Sequence, residues 1–325
     1  MTTAPVPSVQ QLESGLFRID LHFQGVAGVI ASYLLADSAD DLTLVETGPS
    51  TTIDALLAGI RAAGFDPDAI RRLAVTHIHL DHAGAAGSLL QRLPGARLSV
   101  HQIGLPHLID PTKLIASATR IYGEAMERLW GEIVPVPADR VDVLQDGQEL
   151  QAGGRTLRAY YTPGHASHHV AYHDPASGAV FTGDVAGVRL GDTQYVCPPT
   201  PPPDIDLALW QESVARLRAL RPRRLYLTHF GAFADPEWHF DDLMSRLGRW
   251  TEWVEGRLTA EPDTAVVAAE LQRLQERELA AITHTDAQTL SEAYELATPS
   301  KMNVDGLARY LKKRVSAGAR PGAHR

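Results

Sequence analysis

The chain has 325 residues, 44% hydrophobic and 21% charged, which suits a packed core in one large domain, or a domain with an appendage, and excludes wholesale disorder. Its formal net charge of -9 repels phosphate backbones and argues against nucleic acid as a partner. The single cysteine, Cys197, leaves no intrachain disulfide framework; with no leader-like start and no apolar run of membrane length, a cytoplasmic setting without a membrane partner is expected.

Residues 1–13 read as a loose polar lead-in. Phe17–Leu21, Gly28–Leu34 and Leu42–Glu46 are rich in β-branched and apolar residues and read as strands. Thr51–Ala63 reads as a helix stopped near Gly64, Arg72–Thr76 as a strand, Gly84–Arg92 as a helix and Leu98–His101 as a strand. Residues 103–133 look mostly helical where a short connection would suffice, so they read as an insertion able to shape a pocket. A second strand-rich half begins near Val141, with strands expected at Arg155–Tyr160, His169–Tyr172, Val180–Phe181 and Arg224–Leu227. The run from Cys197 to Pro203 carries five prolines, which lack the N–H that a helix interior or a sheet centre requires, and reads as a stiff loop. Asp206–Leu220 gives a helix. Beyond Pro236 only helices are expected, at about 237–257, 263–282, 287–297 and 303–315. The expected organisation is a metal-binding domain over 1–235 and a helical region over 236–325, with two sheets packed together and helices outside.

The chemistry is concentrated in Thr76-His77-Ile78-His79-Leu80-Asp81-His82. Alternate residues of an extended segment share a side, so His77 and His79 can converge on one ion. The chain then turns into a helix, which lets Asp81 and His82 face a second ion. Imidazole with carboxylate suits zinc, and also iron or manganese. Three distant residues can complete such a site: His165 after Gly164, Asp184 after Gly183, and His229 in Leu227-Thr228-His229-Phe230. Each follows an expected strand, where loops gather at one rim of a rigid scaffold. Of His165, His168 and His169, one is expected as a ligand. His22, His101, His107, His173, His239, His284 and His324 read as ordinary histidines. Tyr122, Trp130, Tyr195 and Phe230 read either as pocket walls or as packing. Cys197 has no basic or histidine neighbour and does not read as a nucleophile.

The His-x-His-x-Asp-His string, the later Gly-His and Gly-Asp and the final strand-end His resemble the metallo-β-lactamase superfamily over roughly residues 15–232. The resemblance implies an α+β fold, a four-layer αβ/βα sandwich with metals at one edge, followed here by the C-terminal helical appendage. By position it implies His77, His79 and His165 on a first metal, Asp81, His82 and His229 on a second, and Asp184 bridging both. A full set of this kind is similar to dinuclear members such as glyoxalase II and the acyl-homoserine lactonases. The class B lactamases usually carry Cys where Asp184 stands. The family's usual Asp after an early strand is replaced by Glu in Val45-Glu46-Thr47-Gly48.

The expected function is hydrolysis of an ester, thioester or lactone of a small molecule by a hydroxide shared between two divalent cations, zinc foremost, with Asp81 or Asp184 orienting the nucleophile and moving its proton. The alternatives are a single-iron dioxygenase on the same fold, a phosphodiesterase, and a metal-binding protein without turnover. The helical tail, with Leu271, Leu274 and Leu279, is expected to pack on the main body or on another subunit, as in a homodimer, and to border the metal rim.

Overall fold

The computed structural model describes residues 8–283 and 286–318, so His284 and His324 lie outside the described residues. One sheet holds β1 (Ser8–Glu13), β2 (Leu16–Asp20), β3 (Ala31–Leu35), β4 (Leu42–Val45), β5 (Ile70–Ala74), β6 (Arg97–His101) and β7 (Val141–Leu144) side by side in chain order. Its strands run antiparallel from β1 to β4 and parallel from β4 to β7. The other sheet holds β8 (Glu149–Ala152), β9 (Arg155–Tyr161), β10 (Val170–Asp174), β11 (Ala179–Phe181), β12 (Arg224–Leu227) and β13 (Gly231–Phe233), and only the β11–β12 pair is parallel.

A parallel pair needs a crossover, and each crossover here carries helix. α1 (Ile53–Ala62) joins β4 to β5, and α2 (Leu80–Ala83) with α3 (Ala86–Arg92) joins β5 to β6. α4 (Leu105–Ile109), α5 (Thr112–Tyr122) and α6 (Met126–Trp130) join β6 to β7, and α7 (Leu207–Ala219) joins β11 to β12. The chain ends with α8 (Pro236–Ala260), α9 (Thr264–Ile282), α10 (Ala287–Ala297) and α11 (Ser300–Gly318). Among the described residues, no helix is long and apolar enough to cross a membrane.

Side-chain alternation along the strands separates three apolar layers. In β3, Ala31, Tyr33 and Leu35 face the other sheet, while Leu34 joins the layer under α1 and α3. In β11, Ala179 and Phe181 face inward, and Val180 joins the layer under α7 and α8. The result is helix, sheet, sheet, helix: two mixed sheets with flanking helices, the four-layer order expected from the sequence. The C-terminal helices join the inter-sheet core through Trp250, Leu271, Leu279, Tyr294 and Leu307. Tyr294 Oη accepts from the Leu190 amide at 3.1 Å and donates to the Tyr195 carbonyl at 2.9 Å. Tail leucines thus pack on the body of the same chain.

Two expectations need correction. Ser8–Glu13, taken as part of a loose lead-in, forms the edge strand β1, paired with β2 through a register shift near Glu13; its run of Gln10 and Gln11 is polar because an edge strand is half solvated. The helix expected over Gly84–Arg92 begins earlier and is broken at Gly84 and Ala85, giving α2 and α3. Strand β13 was not expected at all: three residues after a histidine carry no alternation to read.

Candidate metal centre

Parallel pairing sets the location of the site. β4 and β5 run the same way, as do β11 and β12, so their C-terminal ends open at one edge of the sandwich. His77, His79, Asp81 and His82 follow β5, Asp184 follows β11 and His229 follows β12; His165 follows β9 on the same edge. Cross-sheet bonds tie this edge together: Val170 N donates to Thr76 O at 2.8 Å, and Ala31 N to Thr228 O at 2.8 Å. Gly164 and Gly183 permit the turns that deliver His165 and Asp184. At φ 139, a Cβ on Gly164 would lie 2.3 Å from Trp210 Cα, and at φ 50 one on Gly183 would lie 2.4 Å from Thr76 Oγ1.

The structure brings all seven sequence-derived residues together in two groups, His77 with His79 and His165, and Asp81 with His82, Asp184 and His229. In the first, His77 Nε2 lies 2.9 Å and His165 Nε2 3.0 Å from His79 Nδ1. In the second, His229 Nε2 lies 3.2 Å from Asp81 Oδ2, and His82 Nε2 lies 3.2 Å from Asp184 Oδ1. Asp184 stands between the groups, its Oδ2 3.4 Å from His165 Nε2.

The outer nitrogens of these rings are pinned, and the hydrogen-bond network assigns their tautomers. His165 Nδ1 donates to Pro199 O at 2.9 Å, His229 Nδ1 to Val29 O at 2.8 Å, and His82 Nδ1 to Glu46 Oε1 at 3.0 Å. Thr76 Oγ1 gives its hydrogen to Glu46 Oε1 at 2.5 Å, so it accepts from His77 Nδ1 at 3.0 Å. The inner Nε2 atoms of His77 and His165 are therefore lone pairs that both face His79 Nδ1, which has one hydrogen at most. A proton can satisfy one of them; a cation satisfies all three. In the second group His82 Nε2 and Asp184 Oδ1 are buried and make no hydrogen bond although they lie 3.2 Å apart. Buried imidazole nitrogens and carboxylate oxygens converging in this way are the donor set a divalent cation takes. The residues present fit two metal ions.

Electrostatics divides the two groups. Burial lowers His77 well below the usual imidazole value, helped by the nearby His82 and His79. Burial, reinforced by His165, lowers His79 to about 4, and burial also lowers His165. All three stay neutral, as ligation requires. In the second group burial opposes ionisation of the carboxylates, but His82 and His229 outweigh it, holding Asp81 at about 2 and Asp184 well below the carboxylate range. Against burial, Asp184 and Asp81 raise His82, with Glu46 adding to them, and also raise His229. Without a cation this half is a pair of buried ion pairs.

Of the neighbouring histidines, His169 holds the backbone: the Asp184 amide donates to its Nε2 at 3.2 Å while its Nδ1 donates to Thr162 Oγ1 at 2.9 Å. His168 faces a cavity of about 520 Å³ that opens over both groups. The walls are Phe23 and Ile30 from the body, Leu114, Ile121, Tyr122 and Trp130 from α5 and α6, the prolines at 199 and 201–203, and Leu296 and Met302 from the tail. Trp130 stacks on Phe23 at 5.4 Å and meets Tyr122 edge-on at 5.0 Å. Tyr195 and Phe230 belong to the core instead, and Cys197 is buried there with its thiol pushed up by burial. Sequence reasoning missed His107 and His168 as cavity residues, because only the fold of the insertion shows what they face.

The family model described as Metallo-beta-lactamase superfamily matches residues 25–229. A metallo-beta-lactamase fold-containing protein of Sulfurisphaera tokodaii is 30% identical over 184 residues, covering 55% of this chain and 68% of that protein. A hydroxyacylglutathione hydrolase of Legionella pneumophila is 27% identical over 143 residues, covering 44% of this chain and 42% of that enzyme, so the chain spans less than half of that relative's length. Among solved structures, a metallo-beta-lactamase family protein from Thermus thermophilus superposes with a TM-score of 0.66 at 23% identity, covering 95% of this chain and 96% of that one. At that identity the likeness speaks for the fold alone.

Proposed function

The chain belongs to the metallo-β-lactamase superfamily, and on that premise we propose that it is a dinuclear metallohydrolase, cytoplasmic, that cleaves an ester, thioester or lactone of a small apolar molecule. The observation that carries the reading is the first donor group, whose inner lone pairs no hydrogen can satisfy together, set beside a second group of two carboxylates and two imidazoles. His77, His79 and His165 would hold one cation and Asp81, His82 and His229 the other, with Asp184 between them. Zinc is the metal of choice for such donors, and iron or manganese fits the same set. When bound, two cations supply Lewis acidity that lowers the pKa of water and polarises a carbonyl oxygen.

The chain's own residues would do the rest. Asp81 is ionised and the more exposed of the two carboxylates, at 18% against 6% for Asp184, so it is placed to accept the proton of an attacking water and return it to the leaving group. The aromatic and proline walls would exclude bulk water and seat an apolar acyl group. A metal-binding domain over 1–235 would supply the centre, and the helices of 236–325 the outer wall that selects substrate. The Legionella relative is by name a hydrolase of an acylated glutathione, which supports acyl cleavage.

The second donor group argues against a single-iron dioxygenase, which needs only one metal. The test is removal of metal with a chelator, then assay against acyl esters, acyl thioesters and lactones before and after adding two equivalents of zinc or manganese. Activity lost on stripping and restored on addition supports the reading. Full activity in stripped protein refutes it, and one iron per chain with oxygenation of a persulfide favours the dioxygenase.

A further inference from the structure

His168 lies in the cavity wall, 7% exposed; its Nδ1 is sealed off without a hydrogen-bond partner, and its Nε2, also without one, is the nitrogen that is not sealed. Its ring stacks on His77 with centroids 6.1 Å apart and planes 14° apart, and meets His79 edge-on at 5.6 Å. It therefore borders the first donor group while standing outside both. Around it the cavity is largely apolar, with Ile78, Leu114 and Pro199 among the walls. An imidazole set in an apolar wall with neither nitrogen bonded by the protein is costly in a folded chain and calls for a reason. Packing alone does not supply one, because a phenyl ring would stack on His77 equally well without burying a nitrogen.

We propose that His168 is a substrate-binding residue whose Nε2 hydrogen-bonds a polar group of an acyl substrate next to the bond being cleaved, and so selects acyl compounds whose apolar chain fills the cavity while a carbonyl or carboxylate oxygen accepts from the imidazole. A neutral imidazole offers one donor and one acceptor, and in an apolar wall one such contact fixes the orientation of a ligand. His168 is then a specificity residue beside the first donor group. The assignment rests on the hydrolase reading above only for the identity of the reaction; the binding contact itself does not need turnover.

The experiment uses the full chain loaded with zinc and two variants. His168→Phe keeps the ring stack and the volume but removes the hydrogen bond; His168→Gln keeps a hydrogen-bonding group. Two readouts are taken: kcat and KM for the octanoyl thioester of N-acetylcysteamine, and the dissociation constant of octanoate by calorimetry. His168→Phe should weaken octanoate about 10-fold and raise KM by a similar factor, the loss falling more on KM than on kcat, with two zinc ions per chain retained. His168→Gln should restore both to within about threefold of wild type. Wild-type affinity and KM in His168→Phe would overturn the proposal. So would equal impairment of the two variants with loss of zinc, which would make His168 a support for the metal ligands, or failure of the wild-type protein to bind octanoate. Octanoate binding that responds to the variants as described, in a protein without zinc-dependent turnover, would support His168 as a binding residue while removing the hydrolase reading.

Discussion

Glu46 Oε1 accepts the Nδ1 hydrogen of His82 at 3.0 Å. The same carboxylate accepts from Thr76 Oγ1 at 2.5 Å, Thr76 N at 3.1 Å and Thr228 Oγ1 at 3.2 Å. One buried side chain, 1% exposed, thereby fixes His82 directly and His77 through the Thr76 hydroxyl, one ring from each donor group. Glu46 sits at φ 67, a left-handed conformation that costs a side-chain-bearing residue roughly 1–3 kcal/mol. The four hydrogen bonds offset that strain and the burial of the charge.

Replacing Glu46 with Gln keeps the volume and removes the charge. The amide oxygen can take the place of Oε1, but the NH2 that replaces Oε2 sets a donor against the Thr76 N–H and, being neutral, leaves the His82 hydrogen bond without charge assistance. Metal affinity should fall about 10- to 100-fold, read by competition with a chelator of known affinity. Unchanged affinity would show that Glu46 does not orient the ligands.

Gly164 predicts a backbone effect on stability. Gly164→Ala would force a Cβ within 2.3 Å of the Trp210 backbone at a φ of 139, and Trp210 cannot withdraw, because it is fully buried and its Nε1 donates to Val185 O at 2.7 Å. Combined strain and overpacking should cost about 2–4 kcal/mol, seen as a lower denaturant midpoint, and should displace His165. A midpoint equal to wild type would mean that the turn is more plastic than its geometry implies.

The tail wall predicts chain-length selection. Met302 lies on the cavity side of α11, where the Tyr122 hydroxyl meets its sulfur at 3.6 Å. Met302→Trp should fill part of the cavity and shift the preference from long to short acyl chains, lowering the ratio of kcat/KM for decanoyl over butanoyl thioesters by about 10-fold or more. An unaltered ratio would place the acyl group elsewhere.

His239 gives a pH dependence that is independent of the metals. It is fully buried in α8, its Nε2 donates to Ala186 O at 2.7 Å, and burial lowers its pKa from 6.5 to about 4. The unfolded chain takes up this proton first as pH falls. Its contribution is therefore fully present above about pH 6.5 and is lost progressively down to about pH 4, by an amount on the order of 3 kcal/mol. In chelator, His239→Gln should flatten the fall of the denaturant midpoint between pH 6.5 and 4. A slope identical to wild type would show that His239 does not contribute.

Much of the site could be read from residue order alone. Four ligand-type residues within six positions, and three single ones after glycine or at strand ends, mark where the chain turns at one rim, and the structure brings those seven together. Runs of β-branched and apolar residues likewise located the buried strands β2 to β5. Two edge strands were not legible: β1 is polar because one side is solvated, and β13 has three residues, without the β-branched residue that marked the equally short β11. The partners of Glu46, Thr76 and Thr228 lie 30 to 182 positions apart, and the cavity depends on how α4–α6 and the tail fold over the centre. Such relations exist only in three dimensions, and His168 shows the consequence: as a residue name it is one histidine in a row of two.

The most direct measurement is anomalous scattering from a crystal of the zinc-loaded protein, recorded on both sides of the zinc edge. The account predicts two peaks per chain, one within ligand distance of His77 Nε2, His79 Nδ1 and His165 Nε2, the other within ligand distance of His82 Nε2, His229 Nε2 and Asp81, with Asp184 touching both. A single peak, or peaks away from these atoms, would contradict it.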